Sequence, residues 1–214
     1  MTATPIVIVG AGGFGREVLD VLRVADPGEG IWKFAGFVAD DEPDPRILQR
    51  IGAVWLGMVE AYLADPMAID FVVGVGNPKT RRALAQRLAA AGLHPATLIH
   101  PSATIGADVE IGEGSVICSH VSITTNVRLG AHVHLNLNST VGHDTRIGDY
   151  VTINPLTAVS GDVTIEDEVM LGTNSAVLQG LTIEAGAIVG AGAVVVNRVA
   201  ANTTVVGVPA KPLG

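Results

Sequence analysis

Within the stretch NSTVGHDTRIGDYVTINP, residues 138–155, His143 stands directly before Asp144. A neutral imidazole, with a reference pKa of about 6.5, is suited to taking a proton near neutral pH. A carboxylate on its other ring nitrogen fixes the tautomer and raises its basicity. Such a pair serves an amine or hydroxyl that loses its proton as it attacks a carbonyl. The oxyanion that develops needs a donor, either a backbone N–H at a corner of the chain or a hydroxyl such as Thr152. Asn136, seven residues before His143, either orients the acceptor or belongs to an internal ladder of asparagines. A second set of residues opens the chain. Gly10, Gly12 and Gly15 form a GxGxxG after the apolar run IVIV and before GREVLDVL, the context of a phosphate-binding loop. Glycine lets the backbone approach a pyrophosphate whose charge sits at a helix N-terminus. Asp40 and Asp41 end the next apolar run, placed to meet a ribose or a base. A dinucleotide and a nucleotide diphosphate sugar both satisfy this loop.

Two different scaffolds must hold these residues. Residues 1–95 alternate short apolar runs with helical patterns. PIVIVGAG, KFAGFVADD and AIDFVVGVGN read as strands. GREVLDVLRVA reads as a helix with Val18, Leu19 and Leu22 on one face, and PKTRRALAQRLAAAG as one opened by Pro78 and stopped at Gly92. Alternating β and α predicts a parallel sheet of about four strands, a Rossmann-like half-domain. That is roughly half of a full dinucleotide fold, so the nucleotide sugar is favoured over NAD or flavin.

From residue 96 the period changes. Steps of six from Ile99 to Ala201 land on eighteen residues, of which seventeen are Ile, Leu or Val and the last is Ala. A six-residue period predicts a parallel β-helix in which each hexad forms one side of a prism and residues eighteen apart stack. Glycine directly after the aliphatic residue, as at 106, 112, 130, 142, 148, 172 and 190, lets the chain turn. No insertion breaks the phase, giving roughly six coils. His143 falls on a corner, two past Val141, and stacks on Gly161; Thr173 and Ala191 stack on another corner. The remaining histidines, His94, His100, His120, His132 and His134, are expected as solvated corner residues.

Bulk properties exclude several classes. A net charge of −8 argues against general affinity for nucleic acid or anionic membrane. One cysteine, Cys118, excludes an intrachain disulfide and suits a reducing cytoplasm. No basic n-region or long apolar run marks a signal peptide or a membrane span. A zinc enzyme built on a β-helix would need three histidines, two of them five apart; no two of these six are so spaced, and no metal is expected. A nucleotidyltransferase would need a front domain much larger than 95 residues.

The motifs GAGGFGREVLDVL, GFVADD, GVGNPKTRR, LIHPSATIG, VGHD and VVGVPAKPLG occur in this order. In that order and spacing the chain resembles the PglD/NeuD-like family of sugar O- and N-acetyltransferases over nearly its whole length. The resemblance implies a left-handed β-helix, a homotrimer with its catalytic cleft between subunits, acetyl-CoA as co-substrate, and a nucleotide-linked amino sugar as acceptor. It implies His143 as general base with Asp144 beside it. Gly12, Gly13, Phe14, Asp40, Asp41 and Gly76 match positions that contact the sugar nucleotide, although a polar His is common where Phe14 stands. Thr152, Gly161, Thr173 and Ala191 match positions along the CoA groove, with Thr152 where the family often has a second His. Bases are scarce from Ile99 to Asn197, so Arg198 and Lys211 are the candidates for the CoA phosphates. The expected activity is N-acetylation of a (4-)amino-deoxy sugar for a surface glycan. The alternatives are O-acetylation of a sialic-acid-type sugar and a non-catalytic sugar-nucleotide scaffold.

Overall fold

The computed structural model describes residues 3–26 and 30–213. The N-terminal domain contains, in chain order, β1 (Thr4–Val9), α1 (Gly13–Ala25), β2 (Trp32–Val38), α2 (Pro45–Arg50), α3 (Val59–Ala64), β3 (Asp70–Val73), α4 (Pro78–Ala90) and β4 (His94–Pro95). The strands form one parallel sheet of order β2-β1-β3-β4. Ile6, Val7, Ile8 and Val9 are all buried, as expected of a central strand covered on both faces. On α1 the predicted stripe of Val18, Leu19 and Leu22 is buried. Asn77 caps α4, its side chain accepting from the Thr80 amide at 3.0 Å, and Pro78 supplies the first turn. The short helices α2 and α3 lie in a stretch where the sequence pattern predicts no element.

After β4 the chain enters a left-handed parallel β-helix of about six coils. Its strands are two or three residues long, and partners lie eighteen residues apart, as in His134↔Thr152 and Thr152↔Met170. Ile117, Leu135, Ile153 and Leu171 fill the shaft with no exposed surface. Every sixth residue takes a left-handed backbone conformation at a corner: Asp108, Asn126, Asp144 and Asp162, for example, have φ of 55–60°. Asn and Asp tolerate this region better than most side chains, which explains their recurrence.

The hexad phase ends earlier than the sequence suggests. Val189 pairs with Val205, sixteen residues on, and Ile183 bridges to Val199, also sixteen on. The last coil is thus two residues short. Val199 takes the inward position expected of Ala201, and Ala201 is exposed.

A single apolar cluster runs from α1 through Leu98 into the shaft, so the two parts share a core. The seam is riveted by Arg81 of α4, which is completely buried. Its guanidinium donates to the carbonyls of His132 (3.0 Å), Val75 (2.9 Å), Gly76 (3.1 Å), Tyr150 (2.6 Å) and Val151 (3.2 Å), and to the Thr152 hydroxyl (2.9 Å). No carboxylate pairs with it among the described residues. Burial pulls its pKa down to about 9, which leaves it charged at neutral pH and dependent on those dipoles.

Candidate active site

The His143 corner is built by stacking. Gly142 turns the chain where a Cβ would meet the Ser160 carbonyl group at 2.5–2.7 Å, and Val141 anchors the coil in the shaft. His143 is exposed, its side chain 63% accessible, and Nδ1 lies 2.6 Å from Oδ2 of Asp144. The other carboxylate oxygen of Asp144 accepts from Nδ2 of Asn126, one coil back, at 2.6 Å. The His143 bond, then the Asn126 bond, hold the Asp144 carboxyl below its ordinary range, so it is ionised at neutral pH. With Nδ1–H donating to Asp144, Nε2 carries the lone pair and remains open. Gly161 lies directly against this ring: a Cβ there would sit 2.6 Å from Cε1 and Nε2. Only glycine leaves the imidazole where it is.

The second site lies in the N-terminal domain. A cleft of about 640 Å³ is lined by Gly12, Gly13, Phe14, Asp40, Asp41 and Gly76. All six are residues singled out from the sequence. Two glycine roles separate cleanly. Gly15 and Gly74 serve close packing, a Cβ on Gly74 falling 2.6 Å from the Gly15 Cα. Around Gly12, Gly13 and Gly76 a Cβ would meet nothing within 4 Å. Their smallness keeps the cleft open and does no packing. The N-terminus of α1 points its free amides at this space without a side-chain cap or an acidic residue in the first turn. Asp40 also serves the fold, its Oδ1 accepting from the Val59 amide at 2.9 Å. Arg16 lines the cleft as its one basic residue and ties Nη1 to the Ala11 carbonyl at 3.2 Å. Sequence reading passed over it, though its place one residue after the loop in a cleft rich in acids was a usable signal.

Other expected residues fall elsewhere. Thr152 is not a free donor: it is buried in the seam, and its hydroxyl donates to the Gly76 carbonyl at 2.7 Å. Asn136 donates to the Ile153 carbonyl at 2.9 Å, and Asn154, eighteen residues on, donates to Leu171 at 2.8 Å, which is a ladder. Thr173 and Ala191 stack on the corner after Leu171 and Val189, a different corner from that of His143 and Gly161, with the Thr173 carbonyl accepting from Gly192 at 2.9 Å. Arg198 is paired with Glu184. Lys211 is exposed on a terminal strand antiparallel to Thr204–Val206.

Two of the remaining histidines correct the expectation of solvated corners. His132 is buried, its ring stacked on Tyr150 at 5.1 Å and facing Phe71 at 6.1 Å. His134 has 0% exposure, sits 4.9 Å from the Phe14 ring, and has no hydrogen-bond partner on either nitrogen among the described residues. Burial, then the Arg81 charge, pushes His132 down to about 4 and His134 well below its usual value. Both are neutral packing groups.

Known proteins share this fold. Residues 5–88 match the PglD N-terminal domain, and residues 89–179 match the GMPPB C-terminal domain. Over 98% of its length the chain superposes on 97% of PerB from Caulobacter crescentus, solved in complex with CoA and GDP-perosamine, with a TM-score of 0.88 and 30% identity. The chain belongs to the PglD-like sugar acetyltransferase family. It is 34% identical over 138 residues to GDP-perosamine N-acetyltransferase of Escherichia coli O157:H7, covering 64% of this chain and 61% of that enzyme. With UDP-N-acetylbacillosamine N-acetyltransferase of Bacillus subtilis (strain 168) it shares 31% over 122 residues, 52% of this chain and 50% of that one. The chain thus aligns with only half to three-fifths of these two relatives' length.

Proposed function

We propose that the protein transfers the acetyl group of acetyl-CoA to the amino group of a nucleotide-linked (4-)amino-deoxy sugar, in the biosynthesis of a surface glycan. The observation that carries this reading is the His143 imidazole, tied to Asp144 through Nδ1 and open at Nε2 against Gly161. The amine nitrogen attacks the thioester carbonyl, and Nε2 takes the proton released as the C–N bond forms. The oxyanion is met by a corner amide; that of Gly161, the residue packed against the ring, makes no backbone hydrogen bond among the described residues. Collapse breaks the C–S bond, and the imidazolium returns the proton to the CoA thiolate. The products are an amide and free thiol.

The sugar nucleotide is held by the N-terminal cleft, its diphosphate at the start of α1 near Arg16. GDP-perosamine is the favoured acceptor, since PerB, which superposes on 98% of this chain, was solved in complex with it and CoA. His143 is not among the residues lining that cleft. A second copy of the chain, in a homotrimer, would bring a cleft to each exposed His143 corner. The net charge of −8 speaks against nucleic acid as a partner, no described helix is long and apolar enough to cross a membrane, and the free, buried Cys118 suits the cytoplasm.

The test is free-thiol release from acetyl-CoA with GDP-, UDP- and dTDP-linked 4-amino sugars. One of them should release thiol in step with formation of an amide product. An ester product would reassign the reaction to O-acetylation. No release from any, with folded protein, would contradict the reading and favour a scaffold.

A further inference from the structure

The geometry points to Asn126 as a positioning residue that holds Asp144, and through it the catalytic imidazole, in its working orientation; this rests on the reading of His143 as base. Asn126 occupies a left-handed corner (φ 55°), directly one coil from Asp144 (φ 60°). That conformation suits Gly, Asn and Asp best but is also taken here by His120, Tyr150, Leu156 and Glu168, and the same column holds aspartates at 108, 144 and 162. What sets position 126 apart is its amide. Nδ2 donates to Oδ1 of Asp144 at 2.6 Å while Oδ2 of the same carboxylate holds His143 Nδ1 at 2.6 Å. The three side chains form a chain of two short hydrogen bonds, with a charged acceptor in the middle.

All three groups lie on the surface, where a single contact to an ionised carboxylate is weakened by water. Orientation is therefore the function that matters. A carboxylate with one oxygen pinned cannot rotate away from the ring, so the proton on Nδ1 stays there and Nε2 keeps its lone pair. The backbone beneath is fixed independently: the Asn126 amide donates to Ala107 at 3.1 Å and the Asp144 amide to Thr125 at 3.2 Å. Removing the Asn126 side chain thus frees the carboxylate without moving the corner. Of the three residues best suited to that conformation, Gly, Asn and Asp, asparagine alone offers a side-chain N–H donor. Glycine offers nothing, and aspartate at 126 would face Asp144 with a second negative charge. Beside His143 lie Asp144, Asn126 of the coil before, and Gly161 and Asp162 of the coil after, the Asp162 amide donating to the His143 carbonyl at 2.7 Å.

Two variants separate positioning from mere corner geometry, assayed by thiol release with GDP-perosamine, or with whichever nucleotide amino sugar proves active. Asn126→Gly keeps the left-handed corner without strain. It should lower kcat about three- to tenfold, with unchanged melting temperature, and move the acidic limb of the rate profile to lower pH, because the imidazole is less basic. Asn126→Asp also keeps the corner and should lower kcat, but it moves the limb to higher pH, since added negative charge stabilises the imidazolium. Opposite shifts from two variants of equal fold are the expected signature. If both variants keep the kcat and the limb of the unmodified protein while His143→Ala is inactive, Asn126 is a corner residue only and the inference is overturned. If His143→Ala itself is fully active, the reading of the base fails first, and the inference with it.

Discussion

His143 and His134 occur in the same repeat, nine residues apart, and both point away from the shaft; their neighbours give them opposite fates. At the seam, α4 and the glycine loop cover His134 and His132, water is excluded, and the rings stay neutral beside Phe14, Phe71 and Tyr150. At the open corner, His143 meets a glycine on one side and a carboxylate on the other, with solvent at Nε2. The repeat gives them different places, His134 in the strand beside Leu135 and His143 on the turn after Val141. Chemistry is assigned by which flank of the prism the N-terminal domain occupies, and by a glycine eighteen residues on.

The strongest way to break the comparison is to open the covered flank. Arg81→Ala would leave the carbonyls of His132, Val75 and Tyr150 without a donor and take one of two from those of Gly76 and Val151, at a cost of at least about 3 kcal/mol. Urea unfolding should show that loss, with near-equal damage in Arg81→Lys because a single ammonium cannot satisfy the same fork. Equal midpoints for the variants and the unmodified protein would mean that the seam is held by its apolar contacts alone.

At the open corner the expected damage is to rate and not to fold. Gly161→Ala pushes its methyl group into the His143 ring, the far end of an exposed side chain, so the melting temperature should hold while kcat falls about 10- to 100-fold. A wild-type kcat would show that the ring need not rest where the structure places it. In the N-terminal cleft, a Cβ on Gly13 has no protein atom within 4 Å, so Gly13→Val should fill ligand space and raise the KM for the sugar nucleotide about tenfold or more. The KM for acetyl-CoA should not change. Parallel rises in both constants would separate this cleft from the acceptor.

The smallest effect is electrostatic and belongs to the covered flank. Burial lowers His132 to about 4, so the unfolded chain binds a proton that the folded one refuses once pH drops below about 6.5. Stability contributed by the neutral ring is whole above pH 6.5 and is lost as pH falls toward 4. His132→Gln should flatten the dependence of melting temperature on pH between 6.5 and 5. An unchanged slope would assign that dependence to other groups.

Periodicity carried most of the fold. Ile117, Leu135, Ile153 and Leu171 are legible as a shaft because a six-residue spacing has one physical solution, and IVIV followed by GxGxxG has nearly as few. Periodicity failed at Ala201 because a two-residue deletion near a chain end leaves too few repeats to reveal itself. His143, Asp144 and the glycine loop could be proposed from sequence because each is a residue type with a specific chemical use in a fixed context, and the structure joins the first two by a hydrogen bond and lines a cleft with the third. Arg81 and the burial of His132 and His134 were not legible in this way. Their roles arise where two domains meet, and no local pattern encodes what will cover an outward-facing side chain. Thr152 was misjudged for the same reason: the hydroxyl that seemed free is taken by Gly76 of the other domain.

The central claim is that the exposed histidine, and not a buried one, moves the proton. The most direct measurement is kcat of His143→Ala, by thiol release at saturating acetyl-CoA and acceptor, with the thermal melt recorded on the same sample. Loss of a general base costs about 10²- to 10⁴-fold, and the account predicts a fall in that range with an unchanged melt. A kcat near that of the unmodified protein, in a folded sample, would contradict it and leave the His143–Asp144 pair as part of the scaffold.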